Sequence, residues 1–256
     1  MGLATPSETM RRVFGTMLLL PVVFAVWYDQ KIGGLVLVCL ALLIGLEAKR
    51  ITGMPPISGY LVVGLILAQS MPYWMIDRPS AMIYGYSLFG SVMVLAHSKK
   101  IMVALFVGLL SLCLGYASLL LSQPSGHIML VALAAVIAAC DSAAYFIGRR
   151  IGGPKLWQQV SLNKTISGSI GGLVAATALT FVLADIFGLA DERDALIAGL
   201  CFGVLAQTGD LLESAIKRLL NKKDSGSILL GHGGMLDRFD GYIFVIPAFY
   251  LYFFGV

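Results

Sequence analysis

Long apolar runs broken by short basic segments dominate this 256-residue chain and restrict what it can fold into. About 20 helical residues cross a hydrocarbon layer of about 30 Å. Candidate spans cover residues 13–28, 32–47, 57–76, 81–97, 101–121, 127–148, 169–188, 194–209 and 242–256. The pattern predicts an all-α, polytopic integral membrane protein with about nine transmembrane helices. Several spans are short or glycine-rich, which leaves room for one or two to be tilted, broken or re-entrant. Only 12% of residues are charged, about half the share in soluble domains, which excludes a soluble globule with a large core.

The basic residues orient these spans, because Lys and Arg are retained on the cytoplasmic side. With a cytoplasmic N-terminus, only Lys31, Arg78 and Arg193 of the 18 basic residues fall outside. Bacterial inner membrane with the polar segments in the cytoplasm is the matching localisation. The net charge of +4 suits anionic headgroups of membrane lipids and calls for no nucleic acid. Arg11-Arg12 before the first run reads as the positive flank of an uncleaved span, since no small-residue cleavage site follows. Cys39, Cys113, Cys140 and Cys201 all lie in apolar runs without metal-ligand spacing, and read as small buried hydrophobes. No internal repeat or linker divides the chain, so one membrane domain is expected over 1–256, its motifs confined to 127–256.

Two polar segments, roughly 149–168 and 210–241, are too long to be simple turns. In "GDLLESAIKRLL" a helix places Asp210, Ser214 and Lys217 on one face, with Arg218 four residues beyond Ser214. A phosphate there meets two cations and a hydroxyl donor; an amphipathic surface helix with solvated charges is the plain alternative. Further on, Lys223-Asp224 leads to Gly231-His232-Gly233-Gly234 and then Asp237-Arg238-Phe239-Asp240. The glycines permit backbone N–H groups to converge on an anion. Asp237 and Asp240, three apart, suit either a helix N-terminus or a hard cation such as Mg²⁺. Asp141 lies inside the sixth apolar run, eight residues before Arg149 and so about 12 Å below the boundary. A carboxylate so placed faces a wet cavity or a partner, and reads as functional. Glu47 and Asp185 sit at span ends, where a charge costs little, and read as structural acids.

At these residues the chain resembles the phosphatidate cytidylyltransferases, or CDP-diacylglycerol synthases. Their C-terminal signature, S-x-x-K-R-x4-K-D-x-G-x-x-x-P-G-H-G-G-x-x-D-R-x-D, is matched in register by Ser214, Lys217, Arg218, Lys223, Asp224, Gly226, Gly231, His232, Gly233, Gly234, Asp237, Arg238 and Asp240. "DSAAYFIGRRIG" at 141–152, "NKTISGSIGG" at 163–172 and Gly209-Asp210 also look like family motifs, and the likeness runs from about residue 130 to the end. Leu230 stands where the signature has Pro, Leu162 where Ser-Pro is usual, and Ile166-Ser167 where a Trp-Glu pair is usual. The last change removes a charge near the expected nucleotide site.

The resemblance implies a reaction: the phosphate of phosphatidic acid attacks the α-phosphorus of CTP, giving CDP-diacylglycerol and pyrophosphate. It implies Mg²⁺ as cofactor, as one or two metal ions with a monovalent cation as an option for the second, and a homodimer. On this reading Asp210, Asp237 and Asp141 bind metal, with Asp240 and Asp224 as ligands or orienting groups. Ser214, Lys217 and Arg218 hold the lipid phosphate or the leaving pyrophosphate, with Arg238 beside them. Lys164 and Thr165, with Lys223, Gly233 and Gly234, contact the nucleotide, and His232 is a donor or loop-former. Two other readings stay open: a CTP-dependent polyprenol or lipid kinase, which transfers the γ-phosphoryl group, and an anion transporter, which calls for inverted repeats.

Overall fold

The structure, a computed structural model, describes residues 21–71, 81–222 and 234–254. Lys223, Asp224, Gly226, Leu230, Gly231, His232 and Gly233 lie outside the described residues. Contacts divide the chain into two compact units, Met1–Val131 with Leu219–Phe239, and Ala132–Arg218 with Asp240–Val256. The second unit begins near the start of the motif-bearing half, but 219–239, the centre of the signature, belongs to the first.

Among the described residues, the main helices of the first unit are α1 (Gln30–Thr52), α2 (Pro56–Ser70), α3 (Ala81–Ser98) and α4 (Ile101–Leu121). Asp29 caps α1, its carboxylate accepting from Lys31 N at 2.8 Å and Ile32 N at 3.0 Å. Gly53, at φ 67°, ends α1 in the left-handed region that a side chain disfavours. α4 is the central helix, packed against α1, α2 and α3. Buried Gln69 of α2 joins three of these helices through its amide, which donates to Ile83 O at 2.8 Å and Ser87 Oγ at 3.0 Å on α3 and to Ser111 Oγ at 3.4 Å on α4. Such bonds tie helices together where water is absent.

In the second unit, α5 (Gly126–Ile151), which enters it at Ala132, leads to a hairpin, β1 (Lys155–Trp157) and β2 (Ser161–Thr165), then to α6 (Ile166–Phe187) and α7 (Glu192–Leu219), which leaves it after Arg218. A short α8 (Leu236–Phe239), in the first unit, precedes α9 (Tyr242–Phe254), in the second. The hairpin is an addition to the all-α expectation. It follows from Gly152 and Gly153, whose φ of 68° and 101° stops α5, and from Pro154, whose carbonyl receives Ile166 N at 3.0 Å. Lys155 pairs with Thr165 and Trp157 with Ser161 in an antiparallel register. Small residues bring the helices close: a Cβ on Gly203 would meet Leu173 at 2.9 Å, and one on Gly172 would meet Cys140 O at 2.9 Å.

Among the described residues, five helices, α1, α4, α5, α6 and α7, are long and apolar enough to cross a membrane. α2, at 15 residues, is a shorter apolar helix. α7 corrects the expected span of 194–209: it continues unbroken for 28 residues, about 42 Å at the helical rise. That exceeds the hydrocarbon thickness, so the polar last turns extend the same rod beyond the apolar layer. A second correction concerns the cysteines. Cys113 and Cys140 are buried, but Cys39 and Cys201 lie on outward helix faces, where apolar thiols are at home against lipid.

Candidate active site

Within the second unit, α7 carries Asp210, Ser214 and Lys217 on one face, as the helical spacing requires. Between them lies Glu213, 1% exposed, which the sequence reading passed over. Its carboxylate pairs with Lys217 Nζ at 2.5 Å. The signal was present in the i, i+4 spacing of an acid before a base. Lys217 is therefore oriented by a buried partner, while Arg218 is exposed at the end of the helix.

The hairpin brings Lys164 to α7, where its ammonium forms an ion pair with Asp210. Thr165, next in the chain, is buried and caps α6, its hydroxyl accepting from Gly168 N at 3.1 Å. Ser167, which replaces the acid usual in the resembled family, donates to Gly152 O and lies 3.1 Å from Thr165 Oγ1. The side chain thus knits the glycine turn to the start of α6.

Gly209 sets the approach of the turn before α9. A Cβ there would overlap the carbonyl oxygen of Asp240 and lie 3.2 Å from its carbonyl carbon. Only glycine admits the 240–241 backbone so close to α7, which places Asp240 beside Asp210. Asp240 accepts from Gly241 N at 2.7 Å. Burial, then the neighbouring Asp210 and Asp141 carboxylates, push the Asp240 carboxyl up to about 8, against the lowering effects of the Gly241 N–H and of Lys164. Asp141, on α5, is exposed.

Four elements of this unit therefore bring Asp141, Lys164, Asp210 and Asp240 within electrostatic reach of one another. Among the described residues, no three His, Cys, Asp or Glu side chains form a ready group for a metal ion. Three carboxyl groups crowded around one lysine nonetheless fit a hard cation that takes one or two carboxylates and completes its shell from phosphates and water.

In the first unit, Gly234 is buried and its N–H donates to Asp237 Oδ2 at 2.8 Å, while Arg238 is exposed. Glu47, read from the sequence as a structural acid at a span end, is 2% exposed. Its two oxygens accept from Met235 N at 2.9 Å and Leu236 N at 2.8 Å. No local signal pairs residues 188 apart.

Long apolar helices that carry a cluster of three acids and a lysine define an integral membrane protein with a polar site. Residues 9–255 match the family described as "Cytidylyltransferase family". A phosphatidate cytidylyltransferase of Brucella suis biovar 1 (strain 1330) is 34% identical over 220 residues, 81% of this chain and 77% of that protein. One of Staphylococcus haemolyticus (strain JCSC1435) is 33% identical over 223 residues, 83% and 84% of the two chains. One of Bacillus subtilis (strain 168) reaches 48% over 120 residues, 45% of this chain and 43% of that protein. The chain belongs to the cytidylyltransferase family.

Proposed function

We propose that the protein transfers the cytidylyl group of CTP to phosphatidic acid, forming CDP-diacylglycerol and pyrophosphate. The observation that carries the reading is the gathering of Asp141, Lys164, Asp210 and Asp240 from separate elements in a chain akin to proteins of that name. These names favour nucleotidyl transfer over a lipid kinase or a transporter.

Two polyanions must meet for this reaction, and their repulsion is its main electrostatic barrier. A phosphate oxygen of phosphatidic acid attacks the α-phosphorus of CTP; the bond to the bridging oxygen of pyrophosphate breaks as the new P–O–P link forms. The attacking phosphate is ionised at neutral pH and needs no strong base. Asp141, Asp210 and Asp240 are the residues to hold Mg²⁺, and the resemblance alone adds Asp237 to the candidate ligands. When bound, it would draw the phosphates together and neutralise developing charge. Lys164, fixed by Asp210, presents an ammonium to the nucleotide phosphates. Lys217, oriented by Glu213, and Arg218 with Ser214 hold the lipid phosphate or the departing pyrophosphate. The resemblance adds Lys223, Gly233 and Gly234 as nucleotide contacts, Asp224 as a metal ligand or orienting group, His232 as a donor or loop-former, and Arg238 as a further catalytic residue.

The setting follows from the same reading. About nine spans in a bacterial inner membrane, with a cytoplasmic N-terminus and site, let a water-soluble nucleotide meet a lipid headgroup; a homodimer is the assembly. The test uses purified protein in detergent with phosphatidic acid, Mg²⁺ and CTP labelled at either the α- or the γ-phosphate. Label from the α-position alone enters the lipid product. Incorporation from the γ-position would establish a kinase, and no incorporation from either would reject both.

A further inference from the structure

Both flanks of residues 223–233 are held by one element, the last two turns of α1. On one side, Lys222 Nζ donates to Arg50 O at 2.9 Å and Ile51 O at 3.0 Å. These carbonyls belong to the end of α1, where no intrahelical donor remains and the helix dipole favours a cation. On the other side, Glu47 takes the N–H groups of Met235 and Leu236, which the short α8 cannot satisfy internally. Lys100, at the start of α4, adds a bond from Nζ to Leu219 O at 2.9 Å.

We propose that Glu47 is a positioning residue for the reaction: its buried carboxylate fixes the backbone at 235–236 and thereby the placement of Asp237 and Arg238. The inference rests on the cytidylyltransferase reading for what those two residues do. Its own content is that α1, in the half of the chain without a recognised motif, holds the backbone that carries Asp237 and Arg238.

The chemistry supports a directional role. An ionised carboxylate has two acceptor atoms, and each here has its own backbone donor. Charge-assisted bonds of this kind are about twice as strong as neutral ones. A carboxylate taken out of water is retained only where its partners are well placed. Asp237 follows Leu236 directly, and its own carboxylate is tied back to Gly234 N. Backbone freedom at 235–236 would therefore be passed to Asp237 with little damping. Glutamine at 47 keeps the shape but turns an amide N–H₂ toward one of the two donors, leaving that N–H without an acceptor.

The test measures kcat and KM, melting temperature, and hydrogen–deuterium exchange over the peptide 234–239, for the parent, Glu47→Gln and Glu47→Ala. The expected result for Glu47→Gln is a kcat reduced by about tenfold or more, with KM for CTP and phosphatidic acid within about threefold of the parent. Exchange over 234–239 rises while that of α4 is unchanged, the melting temperature stays within a few degrees, and Glu47→Ala is lower still in kcat. A Glu47→Gln kcat within about twofold of the parent overturns the proposal. So does unchanged exchange over 234–239, or a loss of activity matched by loss of folded protein. Failure of both variants to fold makes Glu47 purely structural and overturns it as well. A parent that forms no CDP-lipid sinks the functional reading instead, and the exchange comparison still decides whether Glu47 anchors this backbone.

Discussion

Replacing Gly209 by Ala probes the close approach that sets Asp240 against α7. In isolation the change favours the helix by about 1 kcal/mol, since Ala exceeds Gly in helix propensity. Against it stands the clash of the new methyl with the Asp240 carbonyl. The obstacle is backbone, so no side-chain rotation relieves it, and the 240–241 turn must withdraw by about 1 Å to reach ordinary contact. Overpacking of this kind costs about 1–3 kcal/mol. The net is a destabilisation of about 0–2 kcal/mol, or up to about 8 °C in melting temperature at this chain length. Catalysis should suffer far more, by about 100-fold, because an ångström of misplacement at the reacting groups is enough for that. The assay pairs CDP-lipid formation with thermal melting of detergent-solubilised protein. Activity equal to the parent's would refute the role of the Gly209–Asp240 contact. A stability loss well above the range worked here would show the glycine to serve folding more than the site.

Asp240 yields a pH prediction. Its carboxyl is held at about 8 in the fold against about 4 in an unfolded chain, so the folded state binds the proton more tightly. Its contribution to stability is complete at low pH and is lost as pH rises through the folded value. With divalent cations chelated, the melting temperature should fall between about pH 4 and pH 8 and level off above, and Asp240→Asn should flatten the decline; a parent curve already flat contradicts the crowding of acids. Lys164→Met should cost about 0–1 kcal/mol of stability, since its ion pair with Asp210 is partly exposed, yet lower turnover by about 100-fold or more through loss of a phosphate-facing cation. Turnover near the parent's would remove Lys164 from the site. Asp141→Asn, at an exposed position, should melt within about 0.5 kcal/mol of the parent while abolishing product; an equally active variant would assign the acid no part in the reaction.

Hydropathy and the signature made much of this protein legible before any fold was known. Apolar runs determine helices because every backbone group must be satisfied where water is absent, and a helix does so within one segment. The start and end of α4 at 101 and 121 could therefore be read directly. The shared face of Asp210, Ser214 and Lys217 followed from helical spacing alone. Less was visible where neighbours in space are distant in sequence. The 155–165 hairpin is too short for a periodic signal, and depends on two left-handed glycines and the pairing they permit.

What the sequence determined by itself is the class of structure, the identity of the charged groups and the family, all of which rest on local periodicity and on residues close along the chain. Tertiary structure decided which of those groups meet. Lys164 finds Asp210 because a hairpin folds back on α7. Asp240 joins them because Gly209 has no side chain. Glu47 changes from a marginal acid at a span end to the buried acceptor for Met235 and Leu236. The physical reason is common to all three: charge and hydrogen bonding act over a few ångströms, and only the packed chain sets those distances.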